Sequence, residues 1–178
     1  MDALRMTRQA TVRLVPDPRR VITKLFVPRN DAYLDGSSRL EVVLERIMAM
    51  TDVEVTDSLA TARLLFDHRH RDLDAVLDRH HEVVSTRFAT SFSKPITLER
   101  QRLIGAYFTH EYSIEAAALG NPSIVVAPDQ SGVAAGDVRI VMSVRAVGEG
   151  HVSSIEFRTG VVDGEGTVEL DPVGNFVE

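Results

Sequence analysis

The sequence predicts an α+β protein: a helical N-terminal bundle with short β segments, followed by an antiparallel β-meander. Three observations predict it. Apolar residues recur with a period near 3.6 up to about residue 119 and with a period of 2 after it. Glycine is unevenly spread, with two of eleven (Gly36, Gly105) in the first 110 residues and nine in the rest. Charge divides the same way: residues 1–110 carry 17 Lys+Arg against 15 Asp+Glu, and residues 111–178 carry 3 against 11. The expected division is therefore 1–119, helical, and 120–178, β.

The elements follow in order. Thr11–Val15 alternates, and Val21–Val27 is short and β-rich, so residues 10–28 are expected to be extended, interrupted by Pro16 and Pro18 and ended by Pro28. Residues 29–37 read as a loop. Ser38 and Glu41 have capping-box spacing, so a helix starts there, with Leu40, Val43, Leu44, Ile47 and Met48 as its buried stripe. Thr51 and Glu54 repeat the cap for a second helix, whose stripe is Val55, Leu59, Ala62 and Phe66. A third helix begins near Asp72, with Leu73, Val76, Leu77, Val84 and Phe88 on one side. Pro95 and Thr97 mark the next start. A long apolar helix through Leu103, Ile104, Tyr107, Phe108, Ile114, Ala117 and Ala118 is then expected to end at Gly120 and Pro122.

After Gly120, residues 123–126 read as a short strand and 129–137 as a surface loop. Val138–Val147 alternates over its whole length, and His151–Val162 forms a further strand after a turn at Gly148-Glu149-Gly150. Asp163–Gly166 is a hairpin turn returning into Thr167–Leu170. The last eight residues look unpaired.

Composition excludes several classes. There is no cysteine, so disulfides, thiol nucleophiles and cysteine-ligated metals are absent from the sequence. No run of about eighteen apolar residues suggests a membrane span. No apolar stretch follows the early charges, so a secretory signal is not expected, and a reducing cytoplasmic location fits the lack of cysteine. The acidic C-terminal part is a poor surface for a phosphate backbone, so no nucleic-acid partner is expected.

Recognisable catalytic motifs are also missing. His68 and His70 are two apart and point in different directions on a helix, while His80 falls on an apolar helix face and His81 beside it faces elsewhere. His110-Glu111 begins like a zincin motif, but the second histidine would have to stand at Ile114. Gly148-Glu149-Gly150 lacks the third glycine and the lysine of a phosphate loop, and Ser153-Ser154 lacks a nucleophile elbow. Glu149, Glu156 and Asp163 are read as solvated or turn residues rather than as glycosidic acids. Asn121, Arg145, His151 and Ser154 are the better lead: neutral or cationic donors at strand ends and turns, where sugar hydroxyls are bound. Arg145 could alternatively pair with Glu156 across the sheet.

Two stretches are distinctive: Leu103-Ile104-Gly105-Ala106-Tyr107-Phe108-Thr109-His110-Glu111-Tyr112-Ser113-Ile114-Glu115-Ala116-Ala117-Ala118-Leu119 with Asn121-Pro122-Ser123, and Arg145-Ala146-Val147-Gly148-Glu149-Gly150-His151-Val152-Ser153-Ser154-Ile155-Glu156-Phe157-Arg158-Thr159-Gly160. Together they resemble the N-terminal portion of the longer members of glycoside hydrolase family 130, inverting β-mannoside phosphorylases and related hydrolases. The resemblance covers nearly the whole chain. It implies a five-bladed β-propeller preceded by a helical extension, with residues 1–119 as the extension and 120–178 as roughly the first blade. It implies that Asn121 and Arg145 line the mannosyl pocket, and by extension His151 and Ser154 at the same turn. The implied partners are a β-mannoside oligosaccharide and the missing propeller half or a second copy. No organic cofactor or metal is implied, and inorganic phosphate is the co-substrate of the complete phosphorylase.

Two departures stand out. Gly120 replaces the family's phenylalanine before Asn-Pro, which implies a looser pocket wall. The family's general-acid aspartate and its phosphate-holding cations fall beyond Glu178, so the chain is expected to bind sugar without turnover. The alternative expectation is a non-catalytic oligomerisation or interaction module.

Overall fold

The structure is a computed structural model, and it describes residues 12–27, 38–87 and 95–177. The described elements run β1 (Val21–Leu25), α1 (Arg39–Ala49), α2 (Asp52–Phe66), α3 (Leu73–Arg87), α4 (Leu98–Tyr107), β2 (Thr109–Ser113), β3 (Ala118–Val126), β4 (Val138–Val147), β5 (Ser153–Val162) and β6 (Val168–Leu170). The fold is α+β, with four helices and two antiparallel sheets, a ribbon β1-β2 and a meander β3-β4-β5-β6. The expected loop 29–37 and the core residue Phe88 lie outside the described residues.

The chain forms two compact units. One is helical and comprises the described residues between Ile22 and Tyr112; the other is β-rich and comprises residues 12–21 with 113–177.

In the helical unit both capping boxes form. Ser38 and Thr51 accept from the backbone N–H of Glu41 and Glu54, whose carboxylates accept from the cap N–H in return. Each reciprocal pair satisfies two of the free donors of a first turn. Leu40, Leu44, Ile47, Val55, Val84, Leu103, Ile104 and Phe108 bury a common core. Leu59, Leu73 and Leu77 bury a second, smaller one. Met48, expected in the stripe of α1, is exposed. Arg100 is buried at the centre of the helix joints. Its guanidinium donates to the carbonyl of Ile47 (2.6 Å), which also accepts the Met50 N–H, to the carbonyl of Met50 (2.9 Å) at the end of α1, and to Asp52 (2.8 Å) in the first turn of α2.

The long helix expected through Ala118 is corrected. α4 ends at Tyr107, the Phe108 N–H bonds back to Gly105, and the chain leaves as β2. The Phe26 N–H donates to the Phe108 carbonyl and the Ile114 N–H to that of Arg20, so pairing with β1 satisfies the backbone that a helix would otherwise serve. Of the N-terminal stretch expected to be extended, only Val21–Leu25 is a strand; residues 12–15 are not.

In the β unit, β4 matches the expected span. β5 starts at Ser153 rather than His151, because Glu149–His151 forms a tight turn in which Gly150 and His151 take φ 61° and 59°. β3 starts at Ala118, and Gly120 lies inside it rather than after a helix. Ile140, Met142, Val144 and Ala146 alternate onto the buried face of β4. The C-terminal segment makes no strand after Leu170, but it is held: the Gly174 carbonyl accepts from Arg20 at 2.8 Å. Among the described residues no helix is long and apolar enough to cross a membrane.

Candidate functional site

The β unit places Asn121 and Arg145 side by side. β3 and β4 pair with Gly120 opposite Arg145, and the register shifts between Gly120 and Ser123. Asn121 sits in that bulge at φ 49°, the left-handed region that asparagine tolerates better than most residues. A bulge re-aims side chains at a sheet edge. Arg145 is exposed, and its Nε and one terminal nitrogen donate to Ser153 Oγ at 3.3 and 3.1 Å.

Arg145 differs from the other two arginines after residue 110. Arg158 is buried against Glu115 at 2.5 Å, and Arg139 pairs with Asp171 at 3.3 Å. Among the described residues Arg145 faces no carboxylate. The alternative pairing of Arg145 with Glu156 does not occur. Arg145 stands opposite Ile155, and Glu156 opposite Val144, so their side chains leave opposite faces of the sheet.

The same alternation separates the remaining sequence candidates. Ser154 pairs with Ala146 and shares the inner face, where its hydroxyl donates to Glu156 Oε1 at 2.9 Å. The hydroxyl beside Arg145 is therefore that of Ser153, which sequence position alone does not distinguish from its neighbour. His151 is exposed in the β4–β5 turn, at φ 59°. It stands beyond the same end of the ladder as Arg145, which is two residues, or about 7 Å of strand, from Val147.

Several carboxylates of this unit are engaged elsewhere. Glu115 and Glu156 hold arginines, and Glu149 accepts the Ser113 N–H at 3.1 Å. Asp163 accepts the backbone N–H groups of Thr167 and Glu165 in the hairpin turn, and these bonds hold its carboxyl below the ordinary carboxylate range. Its turn reading stands.

In the helical unit, a concave feature of about 410 Å³ is lined by apolar side chains of α2, α3 and α4 together with His70, Thr109 and Glu111. His70 Nε2 lies 2.6 Å from Glu111 Oε1, and Arg69 lies 2.9 Å from Oε2. The sequence supplied no carboxylate partner for this histidine, because the two residues are 41 positions apart. Among the described residues no group of three or more His, Asp or Glu could hold a metal ion.

His80 is buried in α3, its Nδ1 2.7 Å from Thr109 Oγ1, and burial pushes its imidazole below the ordinary 6.5, with Arg79 adding to the effect. The folded state thus resists a proton that the unfolded chain accepts. Stability contributed by His80 is complete above about pH 6.5 and declines as pH falls toward the folded value. Thermal unfolding should give a lower midpoint at pH 5.5 than at pH 7.5, roughly by the cost of one lost proton site, and His80→Gln should flatten that slope. An unchanged slope in the variant would remove His80 as its source.

No protein-family model, curated protein or solved structure matches the chain.

Proposed function

We propose that the chain supplies the sugar-positioning side of a β-mannoside-active site of the glycoside hydrolase family 130 type, and that the meander β3–β6 is the first blade of its β-propeller. The observation that carries this reading is Arg145: an exposed guanidinium, free of any carboxylate among the described residues, beside a bulged asparagine. Guanidinium and carboxamide groups fixed on a sheet edge are donors suited to sugar hydroxyls. The outer face of the meander supports the blade reading. Val125, Ile155 and Phe157 are 60%, 60% and 66% exposed, an apolar surface of the kind a blade presents to its neighbour.

In the complete enzyme, an acid protonates the glycosidic oxygen, and phosphate or water attacks the anomeric carbon from the opposite face with inversion. Asn121 and Arg145 orient the mannosyl ring for that step. With Glu115 and Glu156 held in ion pairs and Asp163 in its turn, we expect the 178-residue chain to bind without turnover.

Calorimetric titration with β-1,4-mannobiose should detect weak binding. Arg145→Met and Asn121→Asp should each weaken it about 10-fold, the loss of one hydrogen bond from a charged or oriented donor. A Cβ on Gly120 meets no atom within 4 Å, so Gly120→Phe is sterically admitted and should tighten binding. Absence of binding, or binding indifferent to Arg145→Met, overturns the reading. Release of mannose 1-phosphate or mannose by the pure chain overturns the expectation of no turnover.

The exposed apolar face also favours a second reading, an interaction module that buries this face against another chain. Sedimentation of the pure chain distinguishes it: a concentration-dependent dimer broken by Phe157→Glu supports it, and a well-folded monomer at high concentration counts against it.

A further inference from the structure

We propose that the helical unit carries a binding pocket for a neutral, largely apolar small molecule bearing a hydroxyl group. The pocket, about 410 Å³, falls within the range of small-molecule sites. Phe66, Leu73, Leu77, Leu103 and Ala106 form its apolar walls. No lysine or arginine is among its lining residues, so an anion would find no counter-charge there.

Glu111 is the carboxylate in the lining, and both its oxygens are engaged, Oε1 by His70 at 2.6 Å and Oε2 by Arg69 at 2.9 Å. A cationic ligand would have to displace a guanidinium that is already in place. A neutral body is left as the ligand that loses least on entering.

The polar end then sets the functional group. The Glu111 carboxylate, paired with Arg69, only accepts, so His70 Nε2 carries the proton between them. In the neutral ring Nδ1 is consequently an acceptor, and no described residue donates to it. A ligand hydroxyl is the complementary donor. Thr109 is not available for this role, since its hydroxyl donates to the Gly105 carbonyl at 2.8 Å and meets His80 at 2.7 Å.

The test uses the full chain at about pH 8. The probes are β-naphthol and its methyl ether, which share one bicyclic body and differ in the hydroxyl hydrogen. Ligand-observed NMR titration should show β-naphthol binding about 10-fold tighter than the ether. His70→Phe should bring the two together, and Ala62→Trp, which fills the pocket from α2, should abolish both. If Ala62→Trp loses its helical circular dichroism, Ala62→Leu replaces it and should weaken both probes. Equal affinity of the two probes for the wild-type chain, or β-naphthol binding that survives the filled pocket, overturns the proposal. So does a dimer in sedimentation that Ala62→Leu dissociates, because the pocket would then be an interface between copies.

Discussion

Glu115→Ala should unfold the β unit at or near physiological temperature. Glu115 is 1% exposed and stands at the centre of a buried ionic network. Its Oε1 receives Arg158 at 2.5 Å and lies 2.9 Å from Arg20 Nε, an ion pair in which the N–H is not aimed for a hydrogen bond. Its Oε2 accepts the Asp17 N–H at 3.1 Å. Arg20 extends the network to Glu156 at 2.9 Å and to the Gly174 carbonyl. Two guanidinium groups and two carboxylates balance. Removing Glu115 leaves a buried positive charge uncompensated, which costs about 3–5 kcal/mol. A whole domain is stable by only about 5–15 kcal/mol.

The same deletion removes the contacts of Asp17 and Arg20 to Glu115 and so loosens residues 12–20, which keep the Arg20 bonds to Glu156, Gly174 and Ile114. A fall in thermal midpoint of about 15 °C or more, or loss of soluble protein, is expected in a scan followed by β-sheet circular dichroism. Glu115→Gln keeps the volume and the acceptor for Asp17, so it should cost visibly less than Glu115→Ala while still leaving the charge unbalanced. A midpoint within about 2 °C of wild type for Glu115→Ala would show that the network contributes nothing. Arg145→Met, by contrast, removes an exposed side chain and should leave stability within about 0.5 kcal/mol.

Gly105→Ala should destabilise the helical unit, although helix propensity alone favours the change by about 1 kcal/mol. α4 approaches α3 so closely at this point that a Cβ on Gly105 would lie 2.0 Å from the Leu77 carbonyl oxygen and 2.8 Å from its carbon. Both atoms are helix backbone, so no side-chain rotation can relieve the contact. The helices must part, and Leu103, Ile104, Leu59 and Leu77, all buried nearby, lose packing with them. A net loss of about 2–3 kcal/mol is expected in urea unfolding followed at the helical band. The sign decides: any gain in stability would mean that α3 and α4 do not approach this closely. Gly105 could be placed on a helix from sequence alone, but the reason for glycine could not.

The elements that were legible in the sequence share one property: their signals are local. The two capping boxes depend on residues three apart, the stripe of α1 on positions three and four apart, and β4 on strict alternation between neighbours. The hairpin turn at Asp163 needs only Thr167 and Glu165. Asn121 and Arg145 come from two contiguous stretches, and the β3–β4 register places them near each other. His151 and Ser154 were selected by the same turn. That turn fixes proximity along the chain and not the face: Ser154 points inward to Glu156, and Ser153 meets Arg145.

Sequence by itself determined where helices begin, which strands alternate and which polar residues crowd the start of the sheet, because those outcomes depend on neighbours within one turn or one pleat. Tertiary structure alone decided that α4 stops at Tyr107: the apolar spacing that follows fits a continued helix, and pairing of Thr109–Ser113 with β1 decides against it. It alone decided that Glu115 anchors Arg158 and Asp17, 43 and 98 positions away, and that Glu111 partners His70. Those contacts follow from how the chain returns on itself, and no local preference carries that information.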